Sequence, residues 1–346
     1  MLYNHLASRP RHYLGSDSLH SVVEKEKEGE IEKRIPIVVL TGSTASGKTE
    51  VGIELALLLN TDVISADARA VYKYMDIGTA KPTAEQRARV PHHLVDIAEP
   101  NQVFTVADYL SLAIPLIEKL YFEEKKIPLL VGGTRLYIDS LLKGLFQAPP
   151  ANPELRKSLM EEEMREKGSL YKKLMEVDEE RARELHPNDI KRIIRALEIY
   201  YTTGKPMSQL MRETKAPPFL PFKFALMWDR GVLYKRINER AERMVKEGLL
   251  DEVRRLMEMG CRDDFISMQG YGYREMMWYL QGKMSLEEAL YLMKRNTRHY
   301  ARRQMIWIRG AGFREVRMWE GRDPKDAAME IYEELNRHFR AIRFSY

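Results

Sequence analysis

From Ile35 to Leu40 the chain is almost wholly apolar and rich in β-branched residues, and from Val51 to Leu59 it is apolar again with the character of a helix. A short continuous apolar run predicts a strand covered on both faces, the condition of a parallel sheet. The same signal returns in "DVISAD" (62–67), "IPLLVGGT" (127–134) and "FKFALMWDR" (222–230), with the helical stretch "FTVADYLSLAIPLIEKLYFEEKK" before the second of these. Short apolar strands alternating with helices imply βαβ units. Ligands in such sheets sit at the C-terminal strand ends, so Gly42–Thr49, Asp67 and Gly132–Thr134 are expected to converge.

The pattern changes at "FQAPPANP" (146–153), a Pro-rich linker. Residues 154–203 are charged, helical in spacing and without a strand signal, and "GKPMSQLMRETKAPPFLP" is a second loop-rich junction. Residues 145–214 therefore read as a helical insertion in a core made of 35–144 and 215–346. Residues 233–308 are again helical, with 233–256 expected as one amphipathic helix and 285–309 as another, opened by a Ser285/Glu288 capping box. Residues 1–34 lack periodic apolar spacing and are expected to be a poorly ordered extension or a short charged helix.

Composition narrows the class. A chain of 346 residues with 44% hydrophobic and 31% charged residues is an ordinary globular protein with room for a main domain and a lesser one. No apolar run approaches the roughly 20 residues that span a bilayer. The single cysteine, Cys261, excludes an internal disulfide and a Cys-rich zinc site, which suits a reducing cytosol. The net charge of +5 is unevenly placed: residues 1–34 balance six basic against six acidic side chains, whereas 291–322 hold nine Lys/Arg against two Glu. Such a basic zone points to a polyanionic partner.

The chemistry starts at Gly42, Ser43, Thr44, Ala45, Ser46, Gly47, Lys48 and Thr49, which fit G-x-x-x-x-G-K-[ST] between a strand and a helix. Backbone N–H groups of such a loop wrap phosphate oxygens, the lysine adds a mobile charge and the threonine hydroxyl ligates Mg²⁺. The fold class expected is α/β, a P-loop NTPase-like parallel sheet with a helical insertion.

"GSTASGKT", "SADARAVYKYMDIGTAKP", "PHHLVDI", "IPLLVGGTRLYI", "HPNDIKRIIRALE", "GYGYRE" and "TRHYARRQMIWIR" occur in that order. The series resembles the bacterial tRNA dimethylallyltransferases (tRNA isopentenyltransferases) over residues 36–320. The resemblance implies transfer of a dimethylallyl group from its diphosphate to N6 of the adenosine 3′ to the anticodon. The loop, with Lys48 and a Thr49-held Mg²⁺, would then stabilise a leaving diphosphate. Asp67 is, by resemblance, the base that takes the amine proton; on chemistry alone it could equally coordinate Mg²⁺. The family also places an arginine of the 233–256 helix at the diphosphate, here Arg240 ahead of Arg236 and Arg243, although exposed arginines paired with Glu239 or Glu242 would read the same.

For RNA, the resemblance implies contacts from Asp67, Ala68, Arg69 and Ala70, from Thr134, from Lys191, Arg192 and Arg195 on the insertion, and from the segment Gly270, Tyr271, Gly272, Tyr273 and Arg274. Tyr271 departs from the pattern, standing where relatives commonly carry an aliphatic residue. In the 285–309 helix, Met293, Thr297, Tyr300 and Gln304 share one face, and Arg295, Arg298 and Arg302 lie opposite. With Arg303, these arginines are expected to track phosphates and to make binding salt-dependent.

The implied protein is a cytoplasmic, monomeric, Mg²⁺-dependent enzyme with tRNA and dimethylallyl diphosphate as partners and no membrane. Two other classes share its loop: a P-loop small-molecule kinase using ATP, and a non-catalytic RNA-binding nucleotide switch. The kinase reading leaves the basic C-terminal helix and the insertion unexplained, and the switch reading would make Asp67 a metal ligand only.

Overall fold

A computed structural model describes residues 34–343. The expectation for the N-terminal extension lies, Arg34 aside, outside the described residues. Six strands form one wholly parallel sheet: β1 (Ile35–Gly42), β2 (Val63–Ala66), β3 (His92–His93), β4 (Leu129–Gly132), β5 (Phe219–Trp228) and β6 (Arg314–Met318). Their order is β3-β2-β4-β1-β5-β6. Central β1 registers Val38 against Leu129 of β4 and Ile35 against Phe219 of β5.

The unbroken apolar run of β1 follows from its two covered faces. Ile35, Ile37 and Val39 pack on α3 (Val106–Glu118) and α4 (Arg135–Lys143), while Val38 and Leu40 pack on α1 (Lys48–Leu59) and the C-terminal helix Pro324–Arg343. Each such side chain taken from water contributes about 1.5–3 kcal/mol. After α1, the short α2 (Ala84–Arg89) leads into β3.

Between β4 and β5 lie five helices: α5 (Pro153–Arg165), α6 (Ser169–Val177), α7 (Glu179–Glu184), α8 (Ile190–Thr203) and α9 (Met207–Glu213). They enclose their own apolar cluster, including Leu159, Leu170, Leu174, Ile193 and Leu197. Glu198 is fully buried at their base. Its carboxylate accepts from Asn152 N (2.7 Å), Arg156 Nε (2.8 Å), Arg156 Nη2 (2.7 Å) and Arg195. Arg195 also donates to Pro149 O at 2.9 Å. Here the structure corrects the expectation: Arg195 fastens the insertion to its linker, whereas Lys191 and Arg192 are exposed on α8.

The single helix expected over 233–256 is two, α10 (Arg230–Lys246) and α11 (Leu249–Glu258). Gly248 adopts φ 104°, a left-handed conformation that ends one helix and turns the chain into the next. With α12 (Tyr273–Leu280) and α13 (Leu286–Gly310) they build a second helical layer. The Ser285/Glu288 capping box opens α13, with Ser285 Oγ accepting from Glu288 N at 3.2 Å. The C-terminal helix Pro324–Arg343 is α14.

This layer grips the segment after β2. Val71, Tyr72 and Met75 share a cluster with Met244, Leu249, Val253, Met276 and Met293. Buried Glu252 accepts from the N–H groups of Asp76 (2.9 Å), Ile77 (2.9 Å) and Gly78 (3.2 Å), and from the Tyr273 hydroxyl (2.6 Å). Tyr273 is thus a buried strut whose phenol is pushed well above its ordinary range by burial and by Glu252, rather than a ring offered to RNA. Removing the carboxylate leaves four donors without their acceptor. Glu252→Ala is expected to lower stability by about 3 kcal/mol or more, and Glu252→Gln, whose amide oxygen still accepts, by less. Urea unfolding of the two variants measures the difference.

Candidate active site

The loop after β1 turns through two left-handed residues, Ala45 (φ 63°) and Gly47 (φ 87°), before α1 starts at Lys48. Its carbonyls are held from outside. Lys48 Nζ donates to Ser43 O (2.8 Å), Arg236 Nε to Ala45 O (3.0 Å) and Trp228 Nε1 to Ser46 O (2.9 Å). Arg236 lies over the Trp228 ring at 4.2 Å, so it braces the loop from behind. The N–H groups of Ala45, Gly47, Lys48 and Thr49 have no acceptor among the described residues. Together with the positive end of α1 they make an anion cradle. It opens on a cavity of about 1350 Å³.

Lys48 holds its proton less tightly here than a free lysine. Burial lowers its pKa from 10.5 to about 8, opposed by the Asp67 carboxylate and reinforced by Arg240. The ammonium is therefore present below about pH 8 and lost above it. For a diphosphate ligand, kcat/KM is expected to fall as pH rises through 8, and binding at pH 8.5 to take up a proton. A pH–rate profile and calorimetry in buffers of different ionisation enthalpy measure both.

Asp67 follows the last residue of β2. Its Oδ1 accepts from Arg69 N (2.8 Å) and more weakly from Ala70 N (3.4 Å), while Ala68 N donates to Thr134 Oγ1 (2.9 Å). Thr134 N in turn donates to Ala66 O at 3.1 Å. The ends of β2 and β4 are thereby stitched together, and Thr134 acts on the Asp67 turn rather than standing alone. The Arg69 guanidinium reaches across to the carbonyls of Ile266 and Ser267. Ala70 is buried.

The facing wall comes from α10 and α13. Arg240 is half-buried and makes no hydrogen bond among the described residues; burial lowers its guanidinium, and Asp67 and Glu50 oppose the shift. Of the three arginines, Arg236 is braced, Arg243 is exposed and Arg240 alone is both in the field of Asp67 and unattached. From α13, Met293, Thr297, Tyr300 and Gln304 all line the cavity. Buried Gln304 bridges two strand ends, accepting from Thr44 N (2.8 Å) and donating to Gly133 O (2.8 Å). The anion cradle, the Asp67 carboxylate and the Lys48 and Arg240 side chains thus line one cavity, beside a basic helix.

The family profile described as IPP transferase matches residues 70–311. The chain belongs to the IPP transferase family. A tRNA dimethylallyltransferase of Thermotoga neapolitana is 47% identical over 273 residues, covering 79% of this chain and 89% of that relative. One from Syntrophobacter fumaroxidans is 42% identical, covering 87% and 88%. Among solved structures, the full-length tRNA isopentenylpyrophosphate transferase of Bacillus halodurans superposes with a TM-score of 0.67 at 39% identity, covering 90% of this chain and 98% of that one. A eukaryotic dimethylallyltransferase acting on tRNA gives a TM-score of 0.69 at 28% identity, covering 82% and 74%. The P-loop NTPase-like fold is shared with these IPP transferases.

Within this IPP transferase the residues expected at the RNA divide. Arg302 and Arg303 are exposed on α13, whereas Arg298 is part-buried and donates to Asn238 Oδ1 at 2.6 Å. Gly270 and Gly272 are buried, the latter anchoring its turn through Gly272 N to Glu275 Oε2 at 2.8 Å. Tyr271 remains partly open at the cavity rim, and Arg274 is part-buried behind it. For Mg²⁺, no group of three His, Cys, Asp or Glu able to hold a metal occurs among the described residues. A hydroxyl such as that of Thr49, at the first turn of α1 beside the anion cradle, fits a cation held mainly by phosphate oxygens and water. The sequence places Gln304 on its helix face but does not reveal its tethers, and those of Glu252 and Lys81 are likewise unannounced. Lys81 is buried, with Nζ donating to Tyr72 O (2.5 Å), Asp76 (3.0 Å) and Asp96 (2.5 Å), and nothing in "GTAKP" announces those partners.

Proposed function

We propose that this protein transfers a dimethylallyl group from dimethylallyl diphosphate to N6 of the adenosine 3′ to the tRNA anticodon, releasing diphosphate. The observation that carries the reading is the convergence of Asp67 with Lys48, Arg240 and the open loop amides on one cavity. Breaking the allylic C–O bond builds charge on the diphosphate, and these cations and amides already point their positive ends there. Mg²⁺, when bound, would neutralise further phosphate charge, with Thr49 as its protein ligand. The exocyclic amine attacks the allylic carbon, the C–O bond breaks, and Asp67 receives the N6 proton. Its Oδ1 is fixed by the Arg69 and Ala70 amides, which leaves Oδ2 for the amine.

The target base must leave its stack to reach Asp67. Exposed Arg302 and Arg303 on α13, with Lys191 and Arg192 on the insertion, would hold the anticodon stem-loop between them. The enzyme is read as a cytoplasmic monomer. An ATP-dependent kinase would use the same loop but would leave the basic α13 at its cavity without a role. Incubation with Mg²⁺, labelled dimethylallyl diphosphate and unmodified tRNA tests the reading, with labelled ATP in parallel. Label on the adenosine beside the anticodon supports it; unlabelled tRNA with consumed ATP overturns it.

A further inference from the structure

Tyr271 sits at the cavity rim among a dense set of aromatic and cationic neighbours. Its ring lies 5.7 Å from that of Tyr300, tilted by 49°. Its hydroxyl accepts from Arg303 Nη2 at 2.8 Å, and Arg303 also lies over Tyr300 at 5.9 Å. Behind it Arg274 stands 5.9 Å from the Tyr271 ring and 5.0 Å from Trp278. The turn is rigid: Gly272 N donates to buried Glu275, which also takes Arg274 Nη2 (2.8 Å) and Asn296 Nδ2 from α13 (2.9 Å). A half-exposed tyrosine held at both its hydroxyl and its backbone, over a cavity that also contains Asp67, is a preformed flat surface.

We propose that Tyr271 and Tyr300 form a wedge that receives the extruded adenine, with the purine face against one ring and its edge toward the other. This rests on the function proposed above and names the positioning residue for its RNA substrate. The two rings touch at an angle, so the base enters the open side of the wedge and is not sandwiched between them. Arg303 sets the tilt through its hydrogen bond and carries positive charge toward the adjoining phosphate. Tyr300 lies close enough to Asp67 for the carboxylate to add to the burial that raises its phenol. A base resting on the wedge lies in the cavity that Asp67 also lines.

The test uses the full-length protein with a tRNA anticodon stem-loop, either natural or carrying 2-aminopurine at the target position. Base–aromatic stacking predicts that Tyr271→Leu raises the half-saturating RNA concentration about tenfold to hundredfold, while half-saturation by dimethylallyl diphosphate stays within about twofold. Tyr271→Phe keeps the ring and is expected within about threefold of the original. With the unaltered protein, 2-aminopurine emission should be quenched by the tyrosines, and Tyr271→Leu should restore it. Wild-type RNA saturation by a folded Tyr271→Leu overturns the wedge. So does bright emission from the unaltered protein, a reading that needs no variant to fold. If the unaltered protein labels no RNA at all, the proposed function itself fails and the wedge falls with it; labelling by both proteins alike removes the wedge alone.

Discussion

Asp67→Asn is expected to lower kcat about 10²- to 10⁴-fold, the contribution of a positioned general base, while dimethylallyl diphosphate still binds. The substitution is close to isosteric. Its side-chain oxygen can still accept from Arg69 N and Ala70 N, so the turn that ties β2 to Thr134 keeps its shape. What disappears is the capacity to take a proton and one negative charge facing Lys48 and Arg240. Removing that charge has a second, separable consequence. Asp67 supports the Lys48 ammonium against burial, so the alkaline loss of diphosphate binding should move below pH 8. Single-turnover rates together with binding isotherms between pH 6 and 9 measure both effects. A variant that turns over at the original rate would mean that some other group accepts the proton. Unchanged turnover with a displaced binding limb would mean that Asp67 acts only through the field it exerts.

Lys48→Met should cost about 10²- to 10³-fold in kcat/KM, the scale seen when one preorganised donor to a developing oxyanion is removed. The methionine fills the space but brings no charge and cannot hold Ser43 O, so the loop also loses an outside tether. Because the titrating group is gone, the alkaline limb near pH 8 should vanish from the profile. Lys48→Arg is expected to rescue little, since a planar fork cannot occupy the place of a compact ammonium. A profile that keeps its limb in Lys48→Met would assign the titration to another group.

How much of this could be read from the chain depends on the distance over which each decision is made. The phosphate loop, the buried strands and the Ser285 cap are settled within a few residues, by apolar runs and local hydrogen bonds. The wheel of α13 likewise brought Met293, Thr297, Tyr300 and Gln304 to one face because 3.6-residue periodicity holds whatever surrounds it. Strand β6, "REVRM", gave no signal: it is an edge strand with its odd charged positions exposed, and its pairing to β5 is made by main-chain atoms. The break at Gly248 was hidden by an amphipathic pattern that continues on both sides of it. Arg195, expected at the RNA, is instead engaged by Glu198, a buried carboxylate one turn on that also takes Arg156 and the linker residue Asn152. Glu252 is the extreme case: a carboxylate on an ordinary amphipathic helix, three of whose four donors stand more than 170 positions earlier in the chain.

Gln304 links the two halves of the chemistry in one side chain. Its amide holds Thr44 of the phosphate loop at one end and Gly133, the residue after β4, at the other, and it rides on the same helix as Arg302 and Arg303. Any rotation of α13 on RNA binding would be passed to Thr44 through that amide. The affinities of the two substrates then share a coupling free energy, and by thermodynamic reciprocity whatever factor RNA adds to diphosphate binding, diphosphate adds to RNA binding. A two-substrate enzyme built this way reports the arrival of the second ligand to the first without any separate sensing domain.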